Sequence, residues 1–142
     1  MSSQENTLGF LMADVSRLMR RAFQLRLEGS QVTLAQARAL TYVSRNEGVR
    51  QIDLAELLEV QPITLARLID QLEQTGLVER RPAPGDRRAY QIFLTEAAAP
   101  QLEEIKRVGL EIKQFAFSDL DDQQTEQFMA ALEQVRDRLN TI

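Results

Sequence analysis

"QPITLARLIDQLEQTGLVERRPAPGDRRAYQIFLT", residues 61–95, changes its period halfway along. From Pro62 to Gln74 the apolar residues Leu65, Leu68, Ile69 and Leu72 recur at threes and fours, the spacing of one helical face. Beyond Gly76 the pattern becomes "LVERR", then a turn bearing Pro82, Pro84 and Gly85, then "YQIFLT", in which Tyr90, Ile92 and Leu94 alternate with Gln91 and Phe93. That alternation predicts two strands joined by a stiff tip at Gly85, a β-hairpin directly after a helix. Four arginines, Arg80, Arg81, Arg87 and Arg88, stand at its two shoulders.

Working upstream, "QIDLAELLEV" predicts a short helix with Leu54, Leu57 and Leu58 turned inward and acids in its first turn. A break at Val60 and Gln61 follows, and Pro62 suits a first helical position, where its missing N–H is no loss. Two helices joined by a turn of three or four residues make a helix-turn-helix. The second of them leaves Thr64, Arg67, Gln71 and Gln74 outward, with hydrogen-bonding groups suited to base edges.

Leu8, Leu11, Met12, Val15, Leu18, Met19, Ala22 and Phe23 predict a long amphipathic helix over 8–27, ended by Gly29 and Ser30. Thr33 and Gln36 form a capping box for a second helix whose inner face is Leu34, Ala37, Leu40 and Val43, closed by Gly48. Thr95 reads as the N-cap of a fifth helix reaching about residue 117, with Pro100 in its first turns and Leu102, Ile105, Val108, Ile112 and Phe115 along its stripe. Asp121 caps a sixth helix striped by Phe128, Leu132, Val135 and Leu139. The expected fold is mainly α with a small β-hairpin wing: one domain over 1–142, a winged helix-turn-helix over 30–95, and flanking helices over 8–28 and 96–142. The flanking stripes exceed what one small globule needs, so they are expected to bury surface against a second copy.

Composition bounds the chemistry. The 142 residues include no Cys and no His, which removes disulfides, thiol redox sensing, and the commonest general base and metal ligand. There is no glycine-rich phosphate loop, no metal-ligand cluster and no close pairing that suggests a catalytic site, so neither an enzyme nor a cofactor is expected. No apolar run reaches membrane-spanning length and "MSSQENT" is polar, so the expectation is a cytoplasmic protein without a membrane partner. The net charge of −4 is unevenly spread: residues 1–94 hold 12 Arg and no Lys against 11 acids, and residues 95–142 hold 5 basic residues against 10 acids. Fifteen of the 17 basic residues are Arg. The planar fork of Arg suits phosphate and guanine, although genome composition produces the same bias.

A helix-turn-helix followed by a wing places its second helix in the major groove and its hairpin tip at the neighbouring minor groove or backbone. In order along the chain, "VTLAQARAL", "LARLIDQLEQTGLVER" and "GDRRAYQIFLTE" resemble the second helix, the recognition helix with its first wing strand, and the Asp-x-Arg wing signature of the MarR (multiple antibiotic resistance regulator) family, nearest to the branch typified by the regulator SlyA. The resemblance covers essentially the whole chain. It implies a homodimer built on the first, fifth and sixth helices. It also implies a transcriptional regulator of double-stranded DNA that binds a pseudo-palindromic operator and acts as a repressor relieved by a small aromatic or anionic ligand.

Carried over by position, Thr64 and Arg67 match groove-facing residues of the recognition helix, Asp86 and Arg88 match the wing pair, and Arg87 is the extra base of the Asp-Arg-Arg version. The DNA contacts expected are Pro62, Thr64, Arg67, Gln71, Arg81, Asp86, Arg87 and Arg88. Which of Arg87 and Arg88 enters the groove stays open. Asp86 is expected to hold a neighbouring guanidinium in a bidentate pair. Pro62 and Ile63 stand where family members often carry polar residues, which implies fewer base contacts from that end. Arg17 and Arg20, on a helix the family sets beside a pocket, are candidates for an anionic effector; ion pairing is the other reading. Plainer readings stand beside these: Arg67 pairing with Asp70 or Glu73, hairpin arginines that deter strand pairing, and a winged-helix module that binds protein instead of DNA.

Overall fold

The computed structural model describes residues 7–142 and runs α1 (Leu8–Arg26), α2 (Leu34–Arg45), β1 (Val49–Arg50), α3 (Gln51–Leu58), α4 (Pro62–Gln74), β2 (Val78–Ala83), β3 (Asp86–Leu94), α5 (Ala98–Ala116) and α6 (Asp122–Leu139). Two units divide it, one ending at Val108 and one spanning Gly109–Ile142, with the boundary inside α5.

In the first unit the core is the meeting of α2, α3, α4 and the sheet. Leu40, Leu54, Leu65, Ile69, Leu72 and Ile92 are fully buried; each contributes about 1.5–3 kcal/mol of transfer free energy. Local signals agree with that packing. Thr33 Oγ1 accepts the N–H of Gln36 at 3.2 Å and Gln36 Oε1 accepts that of Thr33 at 3.0 Å, completing the α2 capping box. Pro62 opens α4 after Gln61 as N-cap. The turn between α3 and α4 is Glu59–Gln61, and Glu59 takes a left-handed conformation at φ 55°. For a side-chain-bearing residue this costs roughly 1–2 kcal/mol. The Glu59 N–H answers the Ala55 and Glu56 carbonyls and the Val60 N–H also answers Ala55, so the bonds that end α3 hold the strained residue in place.

The sheet differs from the two-stranded hairpin expected. Its order is β1–β3–β2, all antiparallel, because Val49 and Arg50 pair with Ile92 and Gln91. A two-residue strand has no period to read. β3 also begins earlier, at Asp86, leaving a tip of only Pro84 and Gly85, with Gly85 at φ 80° as a type II turn requires.

Two further expectations are corrected. Leu57 is 45% exposed and Ala55 is buried in its place, so the inner face of α3 is Leu54, Ala55 and Leu58. Thr95 does not cap α5. Its hydroxyl donates to the Gly76 carbonyl and its N–H to Leu77 O at 3.1 Å, which ties the end of β3 to the end of α4, and the helix starts only at Ala98.

Nothing on α1 is buried: Leu8, Leu11, Met12, Val15, Leu18 and Met19 are all at least two-fifths exposed. On α5, Ile105, Val108 and Ile112 are buried, whereas Phe115 is 78% exposed and does not join them. In the second unit, Asp121 and Gln124 complete the capping box of α6, and Phe117 packs edge-on against Phe128 at 5.4 Å. Val135 and Leu139 remain exposed on α6.

Candidate nucleic-acid interface

The exposed face of α4 is set by what lies beneath it. Leu65, Ile69 and Leu72 point into the core, and Pro62, Thr64, Arg67 and Gln71 are all exposed on the outer side. The first turn has no acidic residue and no side-chain cap, so no side chain of the helix offsets the positive end of its dipole. Gln71 is tethered, its Oε1 accepting from Gln36 Nε2 of α2 at 3.3 Å. That bond leaves the Gln71 amide N–H groups to donate.

Arg67 has Asp70 and Glu73 three and six residues along the helix, but Arg80 of β2 takes both. Arg80 Nη1 lies 2.6 Å from Asp70 Oδ1 and 3.2 Å from Glu73 Oε1. Its Nη2 donates to the Ala66 carbonyl at 2.9 Å, its Nε to Gln51 Oε1 of α3 at 2.9 Å, and its own backbone N–H to Glu73 Oε2 at 3.1 Å. The Arg80 side chain is 15% exposed. One guanidinium thus joins the wing to both helices of the helix-turn-helix. Among the described residues Arg67 forms no ion pair.

The two shoulders of the hairpin separate by role. Arg80 is the clamp, mostly covered by its partners. Arg81, one residue on and therefore on the other face of the strand, pairs with Glu79 and stacks 4.0 Å from the centroid of the Phe93 ring. Arg81, expected at the DNA surface, is engaged within the wing itself. Arg87 and Arg88 are different: both are exposed and neither forms an ion pair among the described residues.

A break in the ladder presents these last two. Pro82 pairs with Tyr90 and Ala83 with Asp86, so residues 87–89 have no partner on β2. A bulge of this kind bends a strand and re-aims its side chains. It also orphans an amide, and Asp86 supplies the acceptor, Oδ1 taking the N–H of Arg88 at 3.0 Å. The bidentate Asp86 to guanidinium pair expected from the sequence is replaced by this backbone bond. The carboxylate sets the main chain that carries the arginines.

A shallow cavity of about 230 Å³ joins the parts, lined among others by Arg50, Pro62, Asp86, Arg88 and Tyr90. Arg50 was not legible as a site residue: it is the N-cap of α3 and half of the unforeseen β1. Arg17 and Arg20 make contacts within α1, Arg17 with Asp14 at 3.5 Å and Arg20 with Ser16 Oγ at 2.8 Å. Among the described residues no cluster of His, Cys, Asp and Glu has the arrangement of a metal site, and no helix is long and apolar enough to cross a membrane.

Residues 32–90, from the start of α2 to the second strand of the wing, match the sequence model of the MarR family. That match covers the whole helix-turn-helix and most of the wing, so this part of the chain is similar to the MarR family. A MarR transcriptional regulator from Methanosarcina mazei Go1 is 26% identical and superposes with a TM-score of 0.83 over 95% of this chain and 98% of the other. The S. aureus MepR structure, a complex with DNA, is 26% identical with a TM-score of 0.71 over 97% and 99% of the two chains. The transcriptional regulator SlyA shares the fold, at 24% identity and a TM-score of 0.73 over 90% of each chain.

Proposed function

We propose that this protein is a MarR-family transcriptional regulator that binds double-stranded DNA sequence-specifically. It works as a homodimer, with α4 in the major groove and the tip of the β2–β3 wing at the minor groove. The observation that carries the reading is the capture of Asp70 and Glu73 by Arg80. Capture engages the acidic groups of the recognition helix, and Arg67, exposed on the outer face and without an ion pair among the described residues, is available to read a guanine edge with its bidentate fork. The bulged, exposed Arg87 and Arg88 suit the strongly negative minor groove. The S. aureus MepR structure, a complex with DNA at 26% identity, supports DNA binding as the function.

Binding titrations of variants test it. Arg67→Ala is expected to lose about 1–3 kcal/mol on the specific duplex and to relax preference at one base pair. Arg87→Ala or Arg88→Ala is expected to weaken many sequences alike and to reduce the salt slope by about one phosphate's worth. Equal binding of wild type and Arg67→Ala to specific and random duplexes would contradict the reading. The exposed groups Thr64, Arg67 and Gln71 favour it over a winged-helix module that docks on protein.

The proposal extends to regulation: the dimer represses, and a small aromatic or anionic ligand relieves it. Arg17 and Arg20 are the proposed anion contacts, since an exposed pair such as Arg17–Asp14 is worth under about 1 kcal/mol and yields readily to a ligand. A thermal-shift screen with small aromatic acids tests this, because a ligand of the folded state raises Tm. No shift at millimolar acid, or an unchanged shift in Arg17→Ala/Arg20→Ala, would contradict it.

A further inference from the structure

We infer that Ile63 is a specificity-determining residue that reads the 5-methyl group of a thymine in the operator. The inference rests on the DNA-binding reading above and deepens it. Ile63 is the second residue of α4 and is 62% exposed. Ile63, Arg67, Asp70 and Gln74 follow one another at four, three and four, so at 3.6 residues per turn they fall within about 60° of each other. That row lies opposite the buried Leu65, Ile69 and Leu72. Ile63 therefore stands at the outermost line of the recognition helix, in register with Arg67, while Thr64 is turned about 100° away from it.

Nothing in the fold asks for an isoleucine there. It is absent from the buried core, and a β-branched residue is among the weaker helix formers. The first turn of a recognition helix is the part that reaches base edges. Among the groups displayed in the major groove, the thymine methyl is the apolar one. The first turn of α4 carries no charged side chain, so what it offers the groove is the hydroxyl of Thr64 and the alkyl groups of Pro62 and Ile63. The apolar start of α4, which suggested fewer base contacts, becomes a contact of another kind.

Deoxyuridine substitution isolates the methyl. An operator recovered by selection from random duplexes is remade with deoxyuridine in place of one thymine at a time, and Kd is measured for wild type, Ile63→Val and Ile63→Ser. At one thymine of each half-site, deoxyuridine is expected to weaken wild-type binding about three- to five-fold, the worth of one buried methyl. Ile63→Val should keep most of that dependence and Ile63→Ser should lose it, with unchanged Tm for both variants. Specific binding that is insensitive to deoxyuridine everywhere, or equally sensitive in Ile63→Ser, would overturn the inference and leave the DNA-binding reading standing. Failure of the selection to recover any sequence would overturn both.

Discussion

Asp86 Oδ1 accepts the backbone N–H of Arg88 at 3.0 Å, inside the stretch of β3 that has no partner on β2. The acid lies at the tip of a basic wing, beside the arginines proposed to approach phosphate. Its role is to replace the ladder bond that the bulge removes, and so to hold the main chain from which Arg87 and Arg88 project.

Two Asp86 variants separate this role from simple charge. Asp86→Ala removes a negative charge next to DNA yet is expected to weaken duplex binding about 3- to 10-fold, because a hydrogen bond worth about 1 kcal/mol is lost from the tip. Asp86→Asn keeps an acceptor oxygen and removes the charge, so it is expected to bind at least as tightly as wild type. Fluorescence anisotropy at low salt reads both. Tighter binding by Asp86→Ala would show that the carboxylate acts only as a repulsive charge.

Arg80 is expected to matter for stability first and DNA second. Arg80→Ala removes contacts to Gln51, Ala66, Asp70 and Glu73 at once, and a loss of about 2 kcal/mol in urea unfolding is expected. Arg80→Lys keeps the charge without the fork and should recover only part of it. In Arg80→Ala, Asp70 and Glu73 are left for Arg67, so sequence preference should fall by more than stability accounts for. Unchanged stability in Arg80→Ala would contradict the clamp.

The regular elements were legible because local chemistry and tertiary packing agree in them. The Thr33–Gln36 and Asp121–Gln124 capping boxes, Pro62 at a helix start and the leucine spacing of α4 all carry their meaning within a few residues. The misses are long-range. Arg80 reads as one of four similar wing arginines, because its partners lie 7, 10, 14 and 29 residues away. Thr95 has the chemistry of a cap, and only the proximity of Gly76 diverts its hydroxyl. β1 exists because β3 offers it an edge, and Asp86 chose an amide over a guanidinium because a bulge had freed one.

Assembly follows from the exposed apolar face of α1. A 19-residue helix with Leu11, Val15 and Leu18 about half exposed and nothing buried is expected to cover that face with a second copy. Light scattering at micromolar concentration should give twice 16.2 kDa. Leu18→Asp should shift the mass toward one chain and abolish tight operator binding with it. A wild-type monomer would contradict the dimer.

Oxidation offers a further check. With no Cys in the chain, peroxide has no route to a sulfenic acid or a disulfide. DNA binding after peroxide treatment is expected to show no loss that a thiol reductant restores. Mass spectrometry of the four Met residues accounts for any other loss. Release of DNA reversed by dithiothreitol would contradict this.

Arg67 is expected to read sequence from an outer face whose acids pair with Arg80. The measurement is selection from a random duplex pool, run in parallel with wild type and Arg67→Ala. Wild type should recover a two-fold motif with half-sites about one helical turn, roughly 10 base pairs, apart. Arg67→Ala should recover the same motif with one base pair per half-site, a guanine on one strand, no longer preferred. Recovery of an identical motif by Arg67→Ala, or of none by wild type, would contradict the account.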